Sequence, residues 1–105
     1  MDVKKNLMEV FQEEAPEVAQ AFSGLIQSVS SMKALSPKMK QLIYIAIRAS
    51  QGETTAVTSH VPMAKQAGAT RDELKEAILM TVTVCGIKGI ASCLLPALEA
   101  YDNTK

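Results

Sequence analysis

The run Ser36-Pro37-Lys38-Met39-Lys40-Gln41-Leu42-Ile43-Tyr44-Ile45-Ala46-Ile47-Arg48-Ala49-Ser50-Gln51-Gly52 carries its own start and stop signals. Ser36 offers a side-chain oxygen to the first turn, and Pro37 fits the first helical position, where the missing N–H costs nothing. Gly52 is the usual residue just past a helix C-terminus. Between these signals Leu42 to Ile47 is apolar on every face, the pattern of a helix covered all round, so this is the expected central helix. Arg48 is the one charge between Lys40 and Glu53. With Gln41 and Tyr44 it forms a narrow polar seam, because residues three or four apart share a helix face.

The next segment, Glu53 to Ala67, closes on Gly68 in the same way and contains His60, the chain's only histidine. Glu53, Ala56, His60 and Ala64 follow helical spacing, which puts a carboxylate and an imidazole on one wall, about 10 Å apart along the axis. Pro62 lacks the N–H that would bond the Thr58 carbonyl and pushes Val61 away from helical angles, so a kink or a late helix start is expected beside His60. Any chemistry is expected near this histidine.

Working outward, 105 residues amount to one expected domain, with N-terminal helices over 1–34 and a core over 35–102. A chain of that size removes roughly two-thirds of its unfolded surface from water. Eleven basic and eleven acidic side chains cancel and aromatics are 4%, so the basic footprint and stacking platforms of a nucleic-acid binder are missing. No apolar run approaches the ~20 residues of a membrane span, and Met1-Asp2-Val3-Lys4-Lys5 does not lead into a signal-peptide core, so a cytoplasmic location without membrane or nucleic-acid partners is expected. Cys85 and Cys93, placed on one helix, lie about 12 Å apart, beyond the ~7 Å reach of a disulfide. One histidine and no clustered cysteines give no zinc site, and no metal or other cofactor is expected.

A first amphipathic helix is expected over residues 3–14, with Val3, Leu7, Val10 and Phe11 on one face, and a second from Pro16, with Val18, Phe22, Leu25, Ile26 and Val29 as its buried stripe. Ser28 to Ala34 reads as a flexible connection. Thr70 with Glu73 forms a capping box, and Ala69 can pack on Leu74 as a weak staple. The apolar run Ala77 to Cys85 ends in Thr81-Val82-Thr83-Val84, which favours a strand on propensity alone. The cap and the length favour a helix instead. Gly86 and Gly89 then bracket a break before a last helix carrying Ile90, Leu94, Ala97, Leu98 and Tyr101, bent or interrupted by Pro96. The fold class is all-α. A chain that is 48% hydrophobic, with little length to cover its apolar helices, points to burial against copies of itself.

Leu35 to Ile43, Gly52, His60-Val61, and above all Gly68-Ala69-Thr70-Arg71-Asp72-Glu73-Leu74-Lys75-Glu76-Ala77-Ile78-Leu79 resemble the carboxymuconolactone decarboxylase family of the AhpD-like superfamily. Cys85-Gly86 is similar to the late Cys-Gly of its decarboxylases. The resemblance implies a bundle of five to six helices assembled as a homotrimer or homohexamer. In AhpD-type members it implies a C-x-x-C-x-x-x-H peroxidase motif with an assisting glutamate. Glu53 and Ala56 stand where those cysteines would be, Gln41 where the glutamate would be, and His60 matches the histidine. A dithiol needs two sulfurs within bonding reach, so AhpD-type peroxidase activity is not expected.

The decarboxylase branch keeps the histidine without the cysteine pair. Removing CO₂ from a small carboxylated molecule calls for a cation to seat the carboxylate and a group to protonate carbon. Arg48 can do the first and His60, with an ordinary pKa near 6.5, the second, with Glu53 orienting the imidazole. Gln41 and Tyr44 join Arg48 as substrate-binding candidates, and Ala56 and Cys85 as pocket candidates, although Cys85 alone reads as a small core hydrophobe. The alternative is an oligomeric family member that binds a ligand without catalysis.

Overall fold

Ser36 and Pro37 start a helix as expected: in the computed structural model, which describes residues 6–105, the Ser36 hydroxyl accepts the Met39 N–H at 3.2 Å. Six helices of eight residues or more follow in order, α1 (Leu7–Glu14), α2 (Pro16–Ser30), α3 (Pro37–Ser50), α4 (Thr54–Gln66), α5 (Arg71–Leu79) and, after the single turn α6 (Val82–Cys85), α7 (Leu95–Asn103). There is no strand among the described residues. Val3 and the rest of Met1–Lys5 lie outside them. The chain divides into two compact units, one running to Ala34 and the other Leu35–Lys105.

In the first unit Asn6 caps α1, its Oδ1 accepting the Glu9 N–H at 2.9 Å, and Phe11 meets Phe22 with ring centroids 5.9 Å apart. The stripe expected to be buried on α2 is not. Val18 is 60% exposed, Phe22, Leu25, Ile26 and Val29 are exposed too, and only Ala19 is buried. Within this unit two helices have one mutual contact face and no third element to cover the rest. Helix α2 also runs on to Ser30, shortening the expected connection to residues 31–36.

The second unit holds the core. Leu42, Ile45 and Ala49 of α3, Val57, Val61 and Ala64 of α4, Leu74 and Ile78 of α5, and Cys93 and Ala97 beyond them form one buried cluster. Burial of each large aliphatic contributes about 1.5–3 kcal/mol. Helix α3 is covered on this side only: Ile47 is 55% exposed and Ile43 is exposed, so within one chain the expectation of cover all round fails. Gly52 and Gly68 close α3 and α4 with φ of 73° and 100°, the left-handed values that glycine adopts without strain.

Helix α4 begins at Thr54 and continues through Pro62 to Gln66, so the late start expected from Pro62 does not occur. An interior proline costs a helix about 3 kcal/mol, and the complete burial of Val57, Val61 and Ala64 on the same helix offsets a cost of that size. Thr70 and Glu73 form the full capping box of α5, with Thr70 Oγ1 accepting the Glu73 N–H at 3.0 Å and Glu73 Oε1 accepting the Thr70 N–H at 2.8 Å.

Helix α5 stops at Leu79 rather than reaching Cys85. The buried Thr81 hydroxyl donates to the Ile78 carbonyl at 2.6 Å, and the Thr81 N–H shares the same acceptor at 3.1 Å. A hydroxyl taking a backbone acceptor in this way competes with helix continuation. Gly86, with φ of 63°, turns the chain, but Gly89 is helical at φ −67° and ψ −38° and breaks nothing. Its role is close approach, since a Cβ there would lie 2.5 Å from Thr81 Oγ1 and 2.9 Å from the Ala49 carbonyl oxygen.

From there a π-helical turn, Ile90–Leu94, feeds α7. Pro96 cannot donate to the Ser92 carbonyl, and Thr54 Oγ1 donates to it instead at 2.9 Å, joining the start of α4 to the π-helical turn. Lys38 pairs with Glu73 at 3.1 Å, Arg71 with Asp102 at 2.9 Å, and the Tyr101 hydroxyl donates to the Ala69 carbonyl at 2.9 Å, tying α5 to its neighbours. No helix among the described residues is long and apolar enough to cross a membrane.

Candidate functional site around His60

Gln41, Tyr44 and Arg48 project from α3 toward the side of α4 that carries His60. Gln41 Oε1 lies 2.9 Å from His60 Nδ1. An amide oxygen can only accept, so with the Gln41 amide in this orientation Nδ1 is the protonated nitrogen. The Tyr44 ring stacks on the imidazole with centroids 3.8 Å apart and planes 26° from parallel. Arg48 Nε donates to the Tyr44 hydroxyl at 3.3 Å, and its Nη1 donates to Gln51 Oε1 at 3.2 Å. The seam read from sequence is therefore a connected array, Gln51–Arg48–Tyr44–His60–Gln41.

His60 is half-buried, and Nε2 has no hydrogen-bond partner among the described residues. None of their buried side-chain nitrogens or oxygens is left unpaired either, so Nε2 reaches solvent. Burial holds the imidazole pKa below its ordinary value, and the Arg48 charge adds to the effect. The ring is thus neutral at neutral pH, with a lone pair presented on Nε2. The bond to the Tyr44 hydroxyl is the main cause that raises the Arg48 guanidinium above its already high ordinary pKa.

The remaining candidates are placed differently. Glu53 sits at the N-cap of α4, exposed, and makes no hydrogen bond to His60. The side chain that orients the imidazole is Gln41, because the continuous helix keeps Glu53 about two turns away. Ala56 lies one turn before His60 on the same helix, half-buried. Cys85 is half-buried, with its Sγ donating to the Thr81 carbonyl at 3.3 Å, and no contact joins it to the array. Cys93 is fully buried in the core. No three His, Cys, Asp or Glu side chains converge as a metal site among the described residues.

From sequence, Gln51 reads only as the end of α3; its spacing of three residues from Arg48 is the signal for their contact. The Gln41–His60 bond spans 19 residues and depends on how α3 and α4 are rotated against each other, which local spacing does not encode.

An all-helical chain in which one histidine on a glycine-closed helix is held by a glutamine and a tyrosine of the preceding helix defines a class of helical histidine-site proteins. The chain belongs to the carboxymuconolactone decarboxylase family, whose model matches residues 16–99. It is similar to the crystal structure of a candidate carboxymuconolactone decarboxylase from Burkholderia xenovorans LB400, with a TM-score of 0.83, 25% identity and coverage of 94% of this chain and 77% of that one. It also matches the apo structure of a carboxymuconolactone decarboxylase family protein from Legionella pneumophila, with a TM-score of 0.78, 30% identity and coverage of 90% and 84%. Among curated sequences it is 27% identical to an uncharacterised protein of Methanocaldococcus jannaschii over 101 residues, 96% of this chain and 94% of that protein.

Proposed function

We propose that this chain performs acid–base chemistry of the decarboxylase type on a small carboxylated molecule, with His60 Nε2 as the proton-carrying atom and Arg48 as the carboxylate seat. The observation that carries the reading is a half-buried imidazole with Nε2 left open, braced on its other edge and face by Gln41 and Tyr44. A carboxylate arriving beside it favours the protonated ring, so His60 takes a proton from water at Nε2 as substrate binds. Loss of CO₂ leaves an electron pair delocalised into the substrate, the Nε2 proton passes to carbon, and the ring returns neutral. Arg48 still has N–H groups beyond those given to Tyr44 and Gln51, enough for a charge-assisted bond to the substrate carboxylate. Self-association belongs to the same reading: Ile43 and Ile47 on α3, with Met80, Val84, Ile87 and Leu95, are large apolar side chains left exposed in the single chain.

The test is CO₂ release from a panel of lactone acids, comparing the intact protein with His60→Asn and Arg48→Gln. A positioned acid–base group contributes about 10²–10⁴-fold, so His60→Asn is expected to remove at least two decades of rate. Arg48→Gln is expected to raise KM more than it lowers kcat. Turnover that survives His60→Asn overturns the reading. The second reading, a ligand-binding oligomer without catalysis, is favoured by Ala56 and Gln41 standing where related enzymes place reactive groups. It predicts carboxylate-dependent shifts of the His60 resonances with no CO₂ released.

A further inference from the structure

The Gln41–His60 contact decides more than ring orientation. Stacking on Tyr44 at 3.8 Å fixes the plane of the imidazole but not its edge, since a half-turn about the ring's attachment bond leaves the plane unchanged and exchanges the positions of the nitrogens and carbons. A hydrogen bond to Nδ1 at 2.9 Å settles the edge. It also bears on the proton: with the amide oxygen facing the ring, as here, the partner accepts only, so the neutral ring carries hydrogen on Nδ1 and leaves Nε2 bare, whereas an amide turned the other way would put the hydrogen on Nε2.

We infer that Gln41 is a positioning residue that selects the Nδ1–H tautomer of His60, leaving Nε2 as the site's only proton-accepting nitrogen. The inference rests on the acid–base reading of His60 for its functional meaning, but not for its truth. Glutamine does this without a charge. A carboxylate in its place would accept the same bond and draw a second proton onto the ring, whereas Gln41 adds no negative charge to that of Glu53 against the neighbouring Arg48. The exposed Glu53 is the other charge near the start of α4, and it makes no bond to the ring.

Because His60 is the chain's only histidine, the experiment is unambiguous. The full chain, free of any histidine tag, is labelled with ¹⁵N, and long-range ¹H–¹⁵N correlations of the imidazole are recorded near pH 8, where the ring is neutral. The expected spectrum of the unmodified protein has Nδ1 protonated and Nε2 with the shift of a bare nitrogen. Gln41→Glu, which keeps an accepting oxygen, is expected to keep hydrogen on Nδ1 while raising the pH at which Nε2 takes up a second proton, and Gln41→Leu to move the ring toward the Nε2–H form that unrestrained histidine prefers. An unmodified protein with hydrogen on Nε2 overturns the inference. So does a folded Gln41→Leu variant with an unchanged pattern. The spectrum of the unmodified protein remains decisive if the leucine variant does not fold. These outcomes are separate from the acid–base reading, which falls only if His60→Asn keeps its turnover.

Discussion

Gly89→Ala is expected to destabilise the protein although alanine is the better helix former. Gly89 has helical angles, so intrinsic propensity favours alanine by about 1 kcal/mol. The structure opposes it: the new Cβ would meet Thr81 Oγ1 at 2.5 Å, the Ala49 carbonyl oxygen at 2.9 Å and the Ala49 carbonyl carbon at 3.3 Å. Two of these are backbone atoms of α3 that cannot rotate away. Overpacking of this kind costs about 1–3 kcal/mol. Displacing the Thr81 hydroxyl from the Ile78 carbonyl adds about 1 kcal/mol. With the propensity gain subtracted, a net loss of about 1–3 kcal/mol remains. Gly24 is the control, since it lies within α2 with nothing within 4 Å of the place a Cβ would take, and Gly24→Ala is expected to stabilise by about 0.5–1 kcal/mol. Urea unfolding followed by helical circular dichroism, at one fixed protomer concentration, measures both. In the double variant Thr81→Ala/Gly89→Ala, part of the loss is expected to remain because the Ala49 carbonyl stays in place. A Gly89→Ala protein as stable as the parent would refute the close-approach argument.

Three further outcomes follow from the same geometry. Thr54→Val removes the side-chain donor to the Ser92 carbonyl, which Pro96 cannot replace, and is expected to cost about 1–3 kcal/mol in urea unfolding. Arg48→Gln removes a charge that disfavours the imidazolium, so the His60 pKa, followed by NMR, is expected to rise toward 6.5. Because the folded value lies below the unfolded one, the His60 contribution to stability is complete above pH 6.5 and is lost as pH falls through the folded value; Arg48→Gln is expected to shallow that acid-side decline, seen in unfolding free energies measured across pH 5–8. Ile47→Asp, at a position 55% exposed in the single chain, is expected to leave the fold intact and shift the protein toward monomer in light scattering.

Much of the second unit is legible in the residues because its signals are local. Ser36-Pro37, Thr70 with Glu73, and the glycines at 52 and 68 each define a helix end within a few positions, and the ends fall there. The polar seam of Gln41, Tyr44 and Arg48 is also visible as spacing on α3. What the seam touches is not. Glu53, on the same helix as His60, is the partner that spacing suggests, but the bond goes across to Gln41 on α3. The break at Thr81 is hidden because the residue type does not mark it: Thr58 and Ser59 make the same hydroxyl-to-carbonyl bond inside α4 without ending that helix. The exposed stripe of α2 escapes the sequence for a similar reason, since periodicity identifies an apolar face without saying whether this chain supplies its cover.

The amide of Gln41 neither gains nor loses hydrogen in the pH range where proteins work, and this makes the imidazole a room with one door. Hydrogen that enters through the solvent side must leave by that side, so no relay through α3 can reprotonate the ring from behind. If His60 acts as proposed, a substrate held in one orientation receives its hydrogen from Nε2 alone, and in heavy water is expected to take deuterium on the face that meets Nε2.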